Sequence, residues 1–99
     1  MKVLDYKGVR TKLQGSVYVG ELNVSYNKLV SIFGKPSEIN SGDGKSRVNW
    51  VFSCGDSFFS IYDYKDSRDL EEVDRFSIGG TGPSGDFIKE LTEIISLNV

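Results

Sequence analysis

Hydrophobic and polar positions alternate with two different periods along the chain, and they predict strands separated by helices. Residues 1–9 are weakly patterned and predict at most a short strand. Across 11–19 apolar and polar residues alternate one by one, which predicts a strand with Gly15 inside it. In the next segment apolar residues recur three and four apart, which predicts a helix that Ser25 caps and Gly34 ends.

The second half of the chain predicts a hairpin, a further strand and a closing helix. The hairpin strands are predicted at Arg47–Ser53 and Phe58–Tyr64, joined by a turn around Cys54–Asp56. A third strand is predicted over Val73–Ile78. The glycine-rich segment 79–85 follows and leads into an amphipathic helix.

This order, β(β)αβββα, predicts a single α+β domain over residues 1–99. We expect one antiparallel β-sheet of about four to five strands with two helices packed on one face. Strand alternation assigns six large apolar side chains to the face beneath the helices. They are Trp50, Phe52, Phe59, Ile61, Phe76 and Ile78.

The opposite face of this sheet should be plainly hydrophilic, but it mixes aromatic rings, hydroxyls and two arginines. Its predicted members are Arg47, Asn49, Val51, Phe58, Ser60, Tyr62, Tyr64, Arg75, Ser77 and Gly79. Tyrosine and arginine together are typical of recognition surfaces. Two interpretations stay open and are compatible: a subunit interface and a ligand surface.

The glycine-rich segment 79–85 precedes a helix N-terminus, where backbone N–H groups converge on anions. This interpretation makes Gly79, Gly80 and Thr81 candidate phosphate donors. The alternative is a set of tight turns with no ligand. Lys45, Arg47 and Lys65 are predicted to lie near one rim of the hairpin. There they either form a small positive cluster or stay solvated.

Composition narrows the function classes. With 12 basic and 14 acidic residues, the net charge of −2 argues against binding to duplex nucleic acid. The chain has no histidine and one cysteine, so we expect no metal, no cofactor and no enzymatic activity. Paired carboxylates among Asp56, Asp63 and Glu71 are the weaker, enzymatic alternative. No apolar run predicts a leader or membrane span, so we expect a cytosolic protein, and its small size favours a homo-oligomer.

Several short motifs resemble a widespread family of small bacteriophage proteins. That family has a Trp strand, an Ile-Tyr-Asp-(Tyr/Trp)-Lys strand and an aromatic-x-Ile-Gly-Gly strand. The matching segments are Leu13-Gln14-Gly15, Phe33-Gly34-Lys35-Pro36, Trp50, the Gly55-Asp56 turn, Ile61-Tyr62-Asp63-Tyr64-Lys65 and Phe76-Ser77-Ile78-Gly79-Gly80. The resemblance covers roughly residues 11–95. The chain departs from it by carrying Phe76-Ser77 where the family has Trp-His.

The resemblance implies an anti-CBASS sponge, which sequesters a cyclic dinucleotide of host antiphage immunity without hydrolysing it. It further implies a homo-oligomer in the cytoplasm of the infected bacterium, with 3′,3′-cGAMP as the first ligand to expect. The alternative is a phage protein that inhibits a host enzyme or effector by direct binding. The expected ligand-binding residues supply stacking rings, cations, hydroxyls and backbone donors. They are Tyr18, Arg47, Tyr62, Tyr64, Lys65, Arg75, Ser77, Gly79, Gly80 and Thr81.

Overall fold

A computed structural model describes residues 2–4, 15–36, 38–39, 48–63 and 68–97 of the chain. The fold is α+β, as the sequence predicts, with strands and two helices in the expected order. The strands are β1 (Lys2–Leu4), β2 (Val17–Leu22), β3 (Glu38–Ile39), β4 (Val48–Cys54), β5 (Ser57–Tyr62) and β6 (Phe76–Gly80). The helices are α1 (Tyr26–Phe33) and α2 (Gly85–Leu97).

The strands form one sheet in the order β1-β4-β5-β6-β2, and β3 also pairs with β4. Every pairing is antiparallel. The β4–β5 hairpin turns tightly at Gly55, whose φ of +62° suits a residue without a side chain. The short strand β3 is an addition that alternation did not predict, because two residues are too few to show a period.

The hydrophobic core lies between the sheet and the helices, and the six predicted core residues are all buried there. Leu29 of α1 and Phe87 and Leu91 of α2 complete it. The rings of Phe59 and Phe87 stack with centroids 4.3 Å apart and planes 4° from parallel. Such pairs contribute about 0.5–1.5 kcal/mol beyond the burial of their area, so this contact fixes α2 against β5.

Local capping explains where α1 begins and ends. The Ser25 hydroxyl accepts a hydrogen bond of 3.1 Å from the Lys28 N–H, as predicted for the N-cap. Gly34 ends the helix with a φ of +81°. The Trp50 indole N–H donates to the Gly34 carbonyl at 3.0 Å, so the end of α1 is tied to the middle of β4.

Several predicted boundaries are wrong. Cys54, predicted in the turn, is the last residue of β4, and Asp63, predicted within the second hairpin strand, follows the end of β5. Val73 is not in a strand: its N–H closes a single 3-10 turn on Leu70, and its carbonyl accepts from the Tyr26 N–H at 3.1 Å. The strand starts later, at Phe76, and runs on to Gly80. Gly15 likewise lies in a turn before β2, with a φ of +83°. No helix in the part of the chain that the structure describes is long and apolar enough to cross a membrane.

Candidate functional site

The side of the sheet that faces away from the helices carries the candidate site, and we call it the outer face. Residues directly opposite one another on paired strands share a face. The register therefore arranges the described outer-face residues in two rows that run across β4, β5, β6 and β2. One row is Asn49, Tyr62, Ser77 and Glu21, and the next is Val51, Ser60, Gly79 and Tyr18.

A β-bulge in β2 brings two of these residues together. Tyr18 pairs with Gly79 and Glu21 pairs with Ser77, but the register shifts between Tyr18 and Gly20. Residues three apart in a regular strand point to opposite faces. The extra residue of the bulge reverses that alternation, so Tyr18 and Glu21 both lie on the outer face.

Only part of the outer face is open. Asn49, Val51 and Ser60 are buried, with exposures of 7%, 0% and 3%. Val51 does not belong to the core cluster beneath the helices, so it is covered from the outer side. These three members of the predicted face are therefore not accessible to a ligand. The accessible half lies over β6 and β2.

An open groove occupies this accessible half. Of the residues that the structure describes, Tyr18, Glu21, Tyr62 and Ser77 line it, and its volume is about 520 Å³. Small-molecule sites fall roughly between 300 and 1,000 Å³, so the space is sufficient for part of a nucleotide. Tyr18 is 60% exposed, and its ring bounds the groove on the side of the sheet edge.

Gly79 is buried beneath the Tyr62 ring, beside the groove. A Cβ atom built on Gly79 would lie 3.3 Å from Ser60 Oγ and 3.4 Å from Tyr62 Cε1. The Tyr62 ring therefore leans over a residue that has no side chain. The absence of a side chain at Gly79 thus lets the Tyr62 ring lie close to the sheet as one wall of the groove.

Arg75 precedes β6 and lies at one end of the groove. Its Nε is 3.7 Å from Glu21 Oε2, and the Arg75 and Glu21 side chains are 65% and 47% exposed. Exposed ion pairs of this kind contribute about 0–1 kcal/mol. The pair is therefore weak enough for Arg75 to contact an incoming phosphate instead.

The first residues of the glycine-rich segment are part of the sheet and do not form an anion-binding loop. Gly79 and Gly80 lie inside β6 and pair on both sides, with β5 and with β2. Backbone groups of a central strand point to its neighbours in the plane of the sheet. Thr81 continues this pairing, because its N–H donates to the Phe58 carbonyl and its Oγ1 accepts from the Phe58 N–H, both at 2.9 Å. These residues are therefore engaged with β5 and β2.

Close packing against β5 explains three of the glycines. A Cβ on Gly80 would lie 2.5 Å from Phe59 Cδ1, and one on Gly82 would overlap Ser57 Oγ. Gly80 and Gly82, like Gly79 beneath Tyr62, each leave room for a side chain of β5. The alternative prediction, a set of tight turns, is wrong for Gly79 and Gly80, because both lie inside β6.

Three of the predicted ligand-binding residues, Tyr18, Tyr62 and Ser77, line the groove, and Gly79 lies beneath the Tyr62 ring. Arg75 lies at the groove's end, whereas Gly80 and Thr81 are committed to the sheet. Arg47, Tyr64 and Lys65 fall outside the described residues, as does Lys45.

Sequence reasoning missed Glu21, which lines the groove. Simple alternation puts it on the face opposite to Tyr18, and only the bulge moves it. The signal available in the sequence was Gly20, since a glycine inside a strand often marks a bulge.

The carboxylates considered for catalysis are distributed over separate elements. Asp63 is buried directly after β5, and its Oδ1 accepts from the Val48 N–H at 2.9 Å. Asp56 lies exposed in the β4–β5 turn, and Glu71 lies exposed in the 3-10 turn. Glu71 also lines a second groove of about 530 Å³, with Tyr26, Asp69 and Leu70. The two carboxylates of that groove would repel an anionic ligand.

Known proteins offer no relative for comparison: no protein family, no curated protein and no solved structure matches the chain.

Proposed function

We propose that this chain is a phage sponge protein. It binds a cyclic dinucleotide messenger, 3′,3′-cGAMP in the first instance, and sequesters it in the bacterial cytoplasm without hydrolysing it. The observation that carries the proposal is the groove, in which two tyrosines, Tyr18 and Tyr62, lie near Ser77, with Arg75 next to Glu21. A cyclic dinucleotide presents the matching chemistry, with flat bases joined by anionic phosphates.

The groove offers enough contacts to bind a nucleotide. Stacking of a base on an aromatic ring contributes about 1–3 kcal/mol per base. A hydrogen bond to a charged group contributes about 1.5–3 kcal/mol, which is more than Arg75 loses by releasing the exposed Glu21. One base on Tyr18 or Tyr62 and one phosphate on Arg75 therefore give a favourable site in each copy of the chain.

Sequestration without turnover is consistent with the chemistry of the chain. The sequence has no histidine, the commonest general base. The buried Asp63 carboxylate accepts a hydrogen bond from the Val48 N–H. A sponge requires affinity alone, and the groove's tyrosines, serine and arginine supply affinity.

We further propose that the protein is a homo-oligomer and that β2 takes part in the contact. Among the strands that the structure describes, β2 is the last on its side of the sheet, and it exposes Val17 and Tyr18 by 65% and 60%. Open strand edges favour pairing with another chain. Antiparallel pairing of two β2 strands would continue the sheet, and both grooves would lie on the same face about a two-fold axis.

The same edge favours the second candidate function, inhibition of a host enzyme or effector by direct binding. A host protein would then add a strand to β2, and Tyr18 would contact that protein rather than a base. This candidate predicts no stabilisation of the chain by any messenger.

Thermal unfolding of the purified chain with a panel of cyclic di- and trinucleotides and ADP-ribose derivatives separates the two candidates. A ligand at 100 times its Kd stabilises the folded state by about 2.7 kcal/mol. For a domain of this size 1 kcal/mol shifts Tm by roughly 4–8 °C, so a specific messenger should raise Tm by on the order of 10 °C.

Heat release then tests for sequestration. The messenger that binds is incubated with the protein, the protein is heat-denatured, and the supernatant is analysed by chromatography and mass spectrometry. We expect intact messenger. No Tm shift with any compound would contradict the proposal, and recovery of cleaved messenger would show an enzyme in its place.

A further inference from the structure

Glu21 gives the groove a base preference. We infer that its carboxylate accepts hydrogen bonds from the N1–H and N2 amino group of a guanine base, and that the protein therefore prefers guanine-containing messengers. This inference rests on the proposed function, because it assigns the base that the proposed groove selects.

The register places Glu21 where it would meet the edge of a bound base. Glu21 lies directly opposite Ser77, one row along from the pair formed by Tyr18 and Gly79. A base that lies in the groove beside Ser77, with Tyr18 and Tyr62 as neighbours, presents one edge towards Glu21 of β2. The Glu21 side chain is 47% exposed and lines the groove, so its carboxylate is accessible to that edge.

The hydrogen-bonding chemistry of a carboxylate separates guanine from adenine. An ionised carboxylate only accepts, and its two oxygens suit two adjacent donors. Guanine offers such a pair at N1 and N2. Adenine has an unprotonated nitrogen at N1, which is an acceptor. Adenine N1 and a carboxylate oxygen would therefore repel each other. Two-pronged base contacts discriminate against the wrong base by roughly 10- to 100-fold.

Arg75 makes a carboxylate compatible with an anionic ligand. Its guanidinium lies 3.7 Å from Glu21 Oε2, so positive charge offsets the carboxylate within the groove. By contrast, two of the described residues that line the second groove, Asp69 and Glu71, are carboxylates.

Isothermal titration calorimetry with 3′,3′-cyclic di-GMP, 3′,3′-cGAMP and 3′,3′-cyclic di-AMP tests the inference. The variant is Glu21→Gln, which keeps the shape but replaces one acceptor by a donor. The matched control is Glu71→Gln, an exposed glutamate in the 3-10 turn. The thermal midpoint of each variant without ligand checks that the fold is retained.

We expect the wild-type chain and Glu71→Gln to bind cyclic di-GMP at least tenfold more tightly than cyclic di-AMP. In Glu21→Gln this ratio should fall roughly tenfold or more, with cyclic di-AMP binding retained. An unchanged ratio in Glu21→Gln, or a wild-type preference for cyclic di-AMP, would overturn the role of Glu21 and leave the sponge function standing. If the wild-type chain binds none of the three compounds and no other messenger, both proposals fail.

Discussion

The Tyr62 ring leans over Gly79, so that a Cβ atom on the glycine would lie 3.4 Å from Tyr62 Cε1. The next glycine has the same relationship to the other side of the sheet, where a Cβ on Gly80 would lie 2.5 Å from Phe59 Cδ1. The two neighbours thus accommodate aromatic rings of β5 on opposite faces. Gly79 accommodates the Tyr62 ring on the outer face, and Gly80 accommodates the Phe59 ring in the core.

Alanine at these two positions should therefore have different consequences. Gly80→Ala forces the fully buried Phe59 ring to move, and overpacking of this kind costs about 1–3 kcal/mol. Gly79→Ala needs a shift of only a few tenths of an ångström by Ser60 Oγ and the Tyr62 ring, and it should cost less than about 1 kcal/mol. Urea denaturation of both variants measures the free energies of unfolding. Equal losses would contradict this division of roles.

Much of the fold follows from the sequence because its core residues are large and strictly alternating. Trp50 and Phe52 on one strand and Phe59 and Ile61 on the next leave a single register that buries all four. Gly55 marks the turn between them through its positive φ. Val73 was misassigned because a buried valine followed by a strand resembles the strand's first residue, whereas its backbone closes the 3-10 turn.

The site was less predictable than the fold. Alternation shows which residues share a face, but it does not show what lies above that face, so burial of Val51 and Ser60 was not expected. The bulge in β2 changes the face of Glu21, and it depends on pairing with Ile78 and Gly79. Such pairing is a tertiary property that a local pattern does not contain.

Removal of the Tyr18 ring should weaken messenger binding without unfolding the protein. Tyr18 is 60% exposed in the groove, so Tyr18→Ala removes stacking worth about 1–3 kcal/mol, a loss of affinity of roughly 5- to 150-fold. The matched control is Val17→Ala, the adjacent exposed residue on the other face of β2. Calorimetry with 3′,3′-cGAMP gives both affinities. Equal affinity of Tyr18→Ala and Val17→Ala would remove Tyr18 from the site.

Neutralisation of Arg75 should weaken binding in a manner that depends on salt. Arg75→Gln removes the cation at the end of the groove, and we expect roughly a tenfold loss of affinity at low ionic strength. Arg68→Gln is the matched control, since Arg68 is also exposed and pairs with Asp74 at 3.3 Å. Affinities are measured at two salt concentrations. The difference in affinity between Arg75→Gln and the wild-type chain should become smaller at the higher concentration. A parallel loss in Arg68→Gln would indicate a general charge effect.

Replacement of Asp63 should destabilise the fold. The Asp63 side chain is buried and accepts from the Val48 N–H at 2.9 Å. Asp63→Ala leaves that buried N–H without its partner, at a cost of about 1–3 kcal/mol. Asp63→Asn keeps an amide oxygen in the same place and should lose less. Urea denaturation compares the variants, and an equally stable Asp63→Ala would show that the contact does not matter for folding.

A charge on the β2 edge should reduce self-association. Val17 is 65% exposed on that edge strand, and lysine on an edge strand disfavours pairing with another chain because the charge would have to lose its water. Val17→Lys should therefore shift the assembly towards the monomer in light scattering coupled to size-exclusion chromatography. Leu97→Lys is the control, because Leu97 is 85% exposed at the end of α2, away from β2. A wild-type chain that is monomeric at all concentrations would refute the oligomer, whereas dissociation by Leu97→Lys alone would move the contact from β2 to α2.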